Sequence, residues 1–150
     1  MNPNGLILLA DDSLDDRLLI RRAFVKAGVV NPICEVGTGM EVMAYLNGEP
    51  PYEDREKFPF PAILLLDLYM PAGDGFQVLR WIRNKLVSPN FLIIMLSRSD
   101  EIKHVDRAYA MGAHSFLTKG SPEDLQKVIE HFRDFWILKN KGPALESHSS

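Results

Sequence analysis

The sequence predicts an α/β protein, a five-stranded parallel sheet doubly wound with helices on both faces, and two observations predict it. Five short apolar runs (Leu6–Ala10, Ile33–Val36, Ala62–Leu66, Phe91–Leu96 and Ser115–Thr118) alternate with segments of helical period. The chemistry-bearing residues fall at the ends of those runs: Asp11-Asp12 after the first, Asp67 after the third, Ser97 after the fourth and Lys119 after the fifth. In an open parallel sheet a ligand site lies outside the carboxyl ends of the strands.

Each element carries its own start and stop signals. Ser13 caps a helix over Leu14–Ala27, with Asp16 in its first turn and Gly28 beyond its end. A second helix over Met40–Leu46 stops at Asn47-Gly48. Asn47 to Pro61 holds Pro50, Pro51, Pro59 and Pro61, which exclude regular pairing. Tyr52, Phe58 and Phe60 offer it apolar anchors, so it reads as an ordered surface loop. A helix from about Gly75 to Lys85 follows the third strand, and one over Glu101–Met111 ends at Gly112. Ser121 caps a last helix opened by Pro122, with Asp124 at the capping-box position and a core-facing stripe of Leu125, Val128, Ile129, Phe132 and Trp136. Trp81 likewise fits a core-facing helix position. Phe135, Ile137 and Leu138 widen the last stripe beyond one face, which points to a homodimer through the C-terminal helix.

Composition bounds the function. A chain of 150 residues, 46% hydrophobic, fits one domain with one core. A formal charge of −3 without a basic stripe argues against direct nucleic-acid binding. The start lacks a leader pattern and no apolar run approaches the ~20 residues of a membrane span, so a soluble, cytoplasmic protein is expected. Cys34, the one cysteine, reads as a small buried thiol, and His104, His114, His131 and His148 lack ligand spacing and read as solvated helix or loop residues.

The strand ends gather Asp11, Asp12, Asp67, Ser97 and Lys119 on one rim. Singly these have plain readings: an acid there serves as well for a cap or loop, and Ser97 as a strand-end hydroxyl. Together, three carboxylates repel one another unless a cation sits among them, and Mg²⁺ takes one or two carboxylates plus phosphate oxygens and water. Mg²⁺ is the expected cofactor.

The run Asp67-Leu68-Tyr69-Met70-Pro71-Ala72-Gly73-Asp74-Gly75, with Asp11-Asp12 before it and Ser97 and Lys119 after it, resembles the receiver domain of bacterial two-component response regulators. The resemblance implies a flavodoxin-like fold of strand order 2-1-3-4-5 and a receiver domain over residues 1–141, and the polar composition of residues 142–150 reads as a disordered tail. It implies Mg²⁺ bound directly by Asp12 and Asp67 and by the backbone carbonyl of Tyr69, with Asp11 acting through water. Asp67 would be the phosphoacceptor, Lys119 its charge partner, Ser97 the donor to a phosphoryl oxygen and Phe116 the switching aromatic. The implied partners are a histidine kinase and a downstream protein target, with no enzymatic activity beyond self-phosphorylation and slow autodephosphorylation.

Ala44-Tyr45-Leu46-Asn47-Gly48, Leu79-Arg80-Trp81-Ile82-Arg83 and Phe135-Trp136-Ile137-Leu138 look like the stand-alone regulators related to those serving bacterial phytochromes. Two positions depart from the pattern: Arg98 replaces a small residue, and Gly120 replaces the proline after the lysine. They leave a phosphorylation-independent scaffold as the alternative. Haloacid-dehalogenase-like hydrolases need an acid where Tyr69 stands, and Asp11-Asp12 would repel the phosphate of a flavodoxin's flavin.

Overall fold

The computed structural model describes residues 5–85, 91–98, 102–120, 122–123, 125–127, 129–130 and 133–134. Strands and helices alternate: β1 (Ile7–Ala10), α1 (Leu14–Lys26), β2 (Ile33–Val36), α2 (Gly39–Asn47), β3 (Ile63–Asp67), α3 (Gly75–Lys85), β4 (Leu92–Ser97), α4 (Ile102–Ala110) and β5 (Ser115–Thr118). The five strands are parallel, in the order β2-β1-β3-β4-β5. The expected fold and strand order are those observed.

Strand side chains alternate between faces, and this splits the core in two. Leu8, Ala10, Leu64, Leu66, Ile93 and Met95 meet Val42 and Tyr45 of α2, Val78, Leu79 and Ile82 of α3 and Ala108 of α4. Ile7, Leu9, Ile63, Leu65 and Ile94 meet Ile20, Ala23 and Phe24 of α1, with Leu125 and Ile129. Residues 122–123, 125–127, 129–130 and 133–134 are helical. The cap Ser121, Asp124, the stripe residues Val128, Phe132 and Trp136, the self-association residues Phe135, Ile137 and Leu138, and the 142–150 tail lie outside the described residues.

Element ends differ from the sequence reading where polar residues act as backbone. β3 and β4 extend one residue further, through Asp67 and Ser97, because Asp67 pairs with Leu96 and Ser97 with Thr118. α2 begins at Gly39 because Thr38 caps it, its side chain accepting the Glu41 N–H at 3.1 Å while Glu41 Oε1 accepts the Gly37 N–H at 2.8 Å. The 47–61 segment is a packed loop, as its aromatic residues suggest. Tyr45 is fully buried, its ring 4.9 Å from Tyr52 and 6.0 Å from Phe58 between centroids, and its hydroxyl donates to the Pro59 carbonyl at 2.8 Å. Trp81 is only half-buried, packed at the edge of its core.

Two close backbone approaches shape the rim above the strands. A Cβ on Gly39 would stand 2.1 Å from the Gly73 carbonyl oxygen, and one on Gly75 would stand 2.7 Å from that of Asp67. Ala72 at φ 49° and Gly73 at φ 103° turn the chain between them, and the Met40 N–H donates to the Ala72 carbonyl at 2.8 Å. Glycine at 39 and 75 therefore lets the β2–α2 loop and the start of α3 sit against the β3–α3 loop.

Candidate functional site

Asp11 leaves β1 with its N–H donating to the Val36 carbonyl at 3.0 Å, and its Oδ1 accepts the Ser13 N–H at 3.0 Å. Asp11 is buried and Asp12 exposed. Asp67, last residue of β3, is also buried. Among the described residues, Asp11, Asp12 and Asp67 form a cluster in which each offers one carboxylate oxygen within 4.8 Å of the others. A hard divalent cation fits this all-oxygen donor set.

Lys119 reaches the cluster from beyond β5, held there because its N–H donates to the Ser97 carbonyl at 2.7 Å. Its Nζ donates to Asp11 Oδ2 at 2.6 Å and to Asp16 Oδ2 at 2.9 Å, and lies 3.4 Å from Asp67 Oδ2. Burial pushes the Asp67 carboxyl up to about 6, with Asp11 adding to the rise, while the Lys119 ammonium and the Tyr69 N–H oppose it. Burial would lower Lys119, but hydrogen bonds to Asp11 and Asp16 and the charge of Asp67 leave it raised overall. The arrangement couples a carboxylate at a strand end to a fixed ammonium inside an acidic cluster, as transfer of a phosphoryl group onto that carboxylate requires.

Ser97 is completely buried at the end of β4. Phe116 is half-buried on β5, opposite Met95, and its N–H donates to the Tyr109 hydroxyl at 3.2 Å. The Tyr69 ring is largely exposed, with its hydroxyl 3.5 and 3.4 Å from the two ring nitrogens of His104. His104 therefore is not simply solvated: it is half-buried between Tyr69 and Phe76, with Arg107 stacked 4.0 Å above the Phe76 ring. His114 accepts the Ile93 N–H on Nδ1 at 3.0 Å. Cys34 is half-buried, its thiol pushed up chiefly by burial.

Sequence reasoning missed Asp16. It read as a first-turn acid, yet it is buried and joins Lys119 to Arg98, whose Nη2 lies 2.6 Å from Asp16 Oδ1. A signal was present: Asp16 stands on the buried stripe of α1, with Ile20, Ala23 and Phe24 following at helical spacing. An acid at the head of an apolar stripe is costly to bury without a cationic partner.

Residues 7–130 match the family model of the response regulator receiver domain. The chain belongs to that family, and it is a response regulator of two-component phosphorelay signalling. It is 28% identical over 144 residues to the response regulator Rcp1 of Synechocystis sp., spanning 95% of this chain and 96% of Rcp1. Among solved structures it resembles the phosphorylated cyanobacterial phytochrome response regulator RcpA (TM-score 0.80, 28% identity, 89% of this chain and 94% of that one). It also resembles RPA3017, a response regulator in red light signalling of R. palustris (TM-score 0.83, 31% identity, with the same coverage), and the Mn²⁺-bound form of Rcp1 (TM-score 0.77, 28% identity, 88% of this chain and 94% of that one). The likeness to phytochrome-associated regulators expected from the sequence is thus observed. No helix among the described residues is long and apolar enough to cross a membrane.

Proposed function

We propose that Asp67 is the phosphoacceptor of this regulator, taking a phosphoryl group from a phosphohistidine of a histidine kinase. The observation that carries this reading is the Lys119 ammonium 3.4 Å from a buried Asp67 carboxylate within a three-acid cluster. An Asp67 oxygen attacks phosphorus, the P–N bond to the kinase imidazole breaks, and the imidazole nitrogen leaves with its electron pair. Lys119 then shares its charge with the phosphoryl oxygens. Ser97 donates its hydroxyl to one of them, and Phe116 turns inward as the loop after β4 follows.

Mg²⁺ is the cation this reading assigns, held by Asp12, Asp67 and the Tyr69 carbonyl with Asp11 acting through water; when bound it neutralises charge on the transferred group. Support comes from the all-oxygen cluster and from a relative that binds Mn²⁺. The functional unit is a receiver domain over residues 1–141 working in the cytoplasm, without a further catalytic activity, whose output is a changed contact with a downstream protein. The likeness to Rcp1, RcpA and RPA3017 supports a phytochrome-like kinase as donor. The apolar Phe135, Ile137 and Leu138 support self-association as a homodimer through the C-terminal helix.

The scaffold alternative loses its two motives. Arg98 pairs with Asp16, and Gly120 leaves Lys119 within reach of Asp67. Incubation with acetyl phosphate and Mg²⁺, followed by intact mass measurement, tests the proposal. The parent chain gains one phosphoryl group, and Asp67→Asn gains none. Equal uptake by the two, or uptake in excess chelator, would overturn it.

A further inference from the structure

Asp16 stands outside the three-acid cation cluster, yet it is 7% exposed and holds two cations on separate oxygens. Oδ2 accepts from Lys119 Nζ at 2.9 Å, and Oδ1 accepts from Arg98 Nη2 at 2.6 Å. Helix capping does not account for that carboxylate, because Ser13 caps α1 and its Oγ accepts the Asp16 N–H at 3.1 Å. The acid is instead a joint between three segments: the first turn of α1, the residue after β4 and the residue after β5.

An ammonium on a four-carbon stem is a flexible point charge with three N–H donors. Here two donors are engaged by Asp11 and Asp16 at 2.6 and 2.9 Å, with Asp67 3.4 Å from the same nitrogen. Two anchors on different elements fix the nitrogen in space, whereas Asp11 alone would leave it free to swing about one bond. We propose that Asp16 is a positioning residue for Lys119, and that Arg98 in turn fixes Asp16. The pair holds the ammonium beside Asp67 before the phosphoryl group arrives, so that charge developing on that group meets an oriented cation. Because Arg98 follows Ser97 directly, the same contact ties the chain leaving the buried hydroxyl to α1. The inference rests on the phosphoacceptor reading of Asp67.

Its test is the time course of phosphoryl uptake from acetyl phosphate at saturating Mg²⁺, read by intact mass, for the parent and for Asp16→Asn, Asp16→Glu, Arg98→Ala, the Asp16→Asn/Arg98→Ala double variant and Asp67→Asn. Mg²⁺ affinity is read separately by fluorescence titration, and each variant is first shown to melt cooperatively. Asp16→Asn slows uptake about tenfold while its Mg²⁺ affinity stays near the parent's, and Asp16→Glu recovers part of the rate. Arg98→Ala, at an exposed side chain that leaves the buried cluster intact, slows uptake about threefold, and the double variant is no slower than Asp16→Asn alone. Parental uptake by Asp16→Asn, or a loss of Mg²⁺ affinity as large as its loss of rate, overturns the positioning role. A double variant slower than either single one overturns the Arg98 link. Uptake by Asp67→Asn sinks the underlying reading instead, whereas an inert Asp67→Asn beside a fully active Asp16→Asn sinks only this inference.

Discussion

Lys119 Nζ lies 3.4 Å from Asp67 Oδ2, and that attraction does not offset the burial of the carboxyl, which stays raised from 3.8 to about 6. The charged form of Asp67 is therefore disfavoured at neutral pH, an electrostatic strain set by burial and by the neighbouring Asp11. A folded protein bears this where the strained groups meet a further charge in use.

Replacing Asp67 removes the strain. A carboxyl raised by folding favours the fold while protonated; that contribution is full below its ordinary value and is lost as pH rises through about 6. In excess chelator, Asp67→Asn is thus more stable than the parent above pH 6 by about 2–3 kcal/mol, and the gain shrinks between about pH 6 and pH 4. Thermal melts across that range check both the sign and the window; a variant less stable at neutral pH would contradict them.

Asp12 is exposed, so its loss removes a cation ligand at little cost to packing. Asp12→Ala binds Mg²⁺ at least tenfold more weakly, an effect of about 1.4 kcal/mol or more, and unfolds within about 0.5 kcal/mol of the parent in urea. Unchanged affinity in a fluorescence titration removes Asp12 from the site.

Most of this was legible in the sequence, because the signals were local. Apolar runs ending in Asp11-Asp12, Asp67, Ser97 and Lys119 placed four strand ends on one rim, and Ser13 and Gly48 marked helix ends where they are found. What stayed hidden depends on tertiary geometry. Asp16 follows its cap at ordinary spacing, and only the approach of Lys119 and Arg98, more than eighty residues away, turns it into a site residue. His104 had no ligand spacing to betray it, since its neighbours Tyr69 and Phe76 come from another part of the chain. The contact of Gly39 with Gly73 is equally invisible until the two loops meet.

That contact gives a stability prediction. With its Cβ 2.1 Å from the Gly73 carbonyl oxygen, Gly39→Ala forces backbone apart and destabilises the chain by about 2–3 kcal/mol. Gly112→Ala, which meets no atom within 4 Å but has φ +109°, loses stability through backbone conformation instead. Urea melts of both, with phosphoryl uptake read in parallel, separate the effects: Gly39→Ala lowers both stability and uptake, whereas Gly112→Ala lowers stability alone.

Tyr69 stands two residues after Asp67, its ring turned to His104. A ring at that position is expected to crowd the approach of water to a phosphorylated Asp67, which predicts a long-lived modified form. Tyr69→Asn speeds loss of the phosphoryl group roughly tenfold, about 1.4 kcal/mol of barrier. Decay at the parental rate or slower shows that the ring does not shield the site.

On the proposed reading a single carboxyl, Asp67, becomes an acyl phosphate. Borohydride reduces an acyl phosphate to the alcohol and leaves free carboxylates intact, so treatment of the chain after acetyl phosphate and Mg²⁺ marks the acceptor permanently. Peptide mass mapping should then find homoserine at position 67, with Asp11, Asp12 and Asp16 unchanged. Homoserine at any of those three, or an unmodified Asp67 in a chain that has gained a phosphoryl group, would contradict the assignment of Asp67 as the phosphoacceptor.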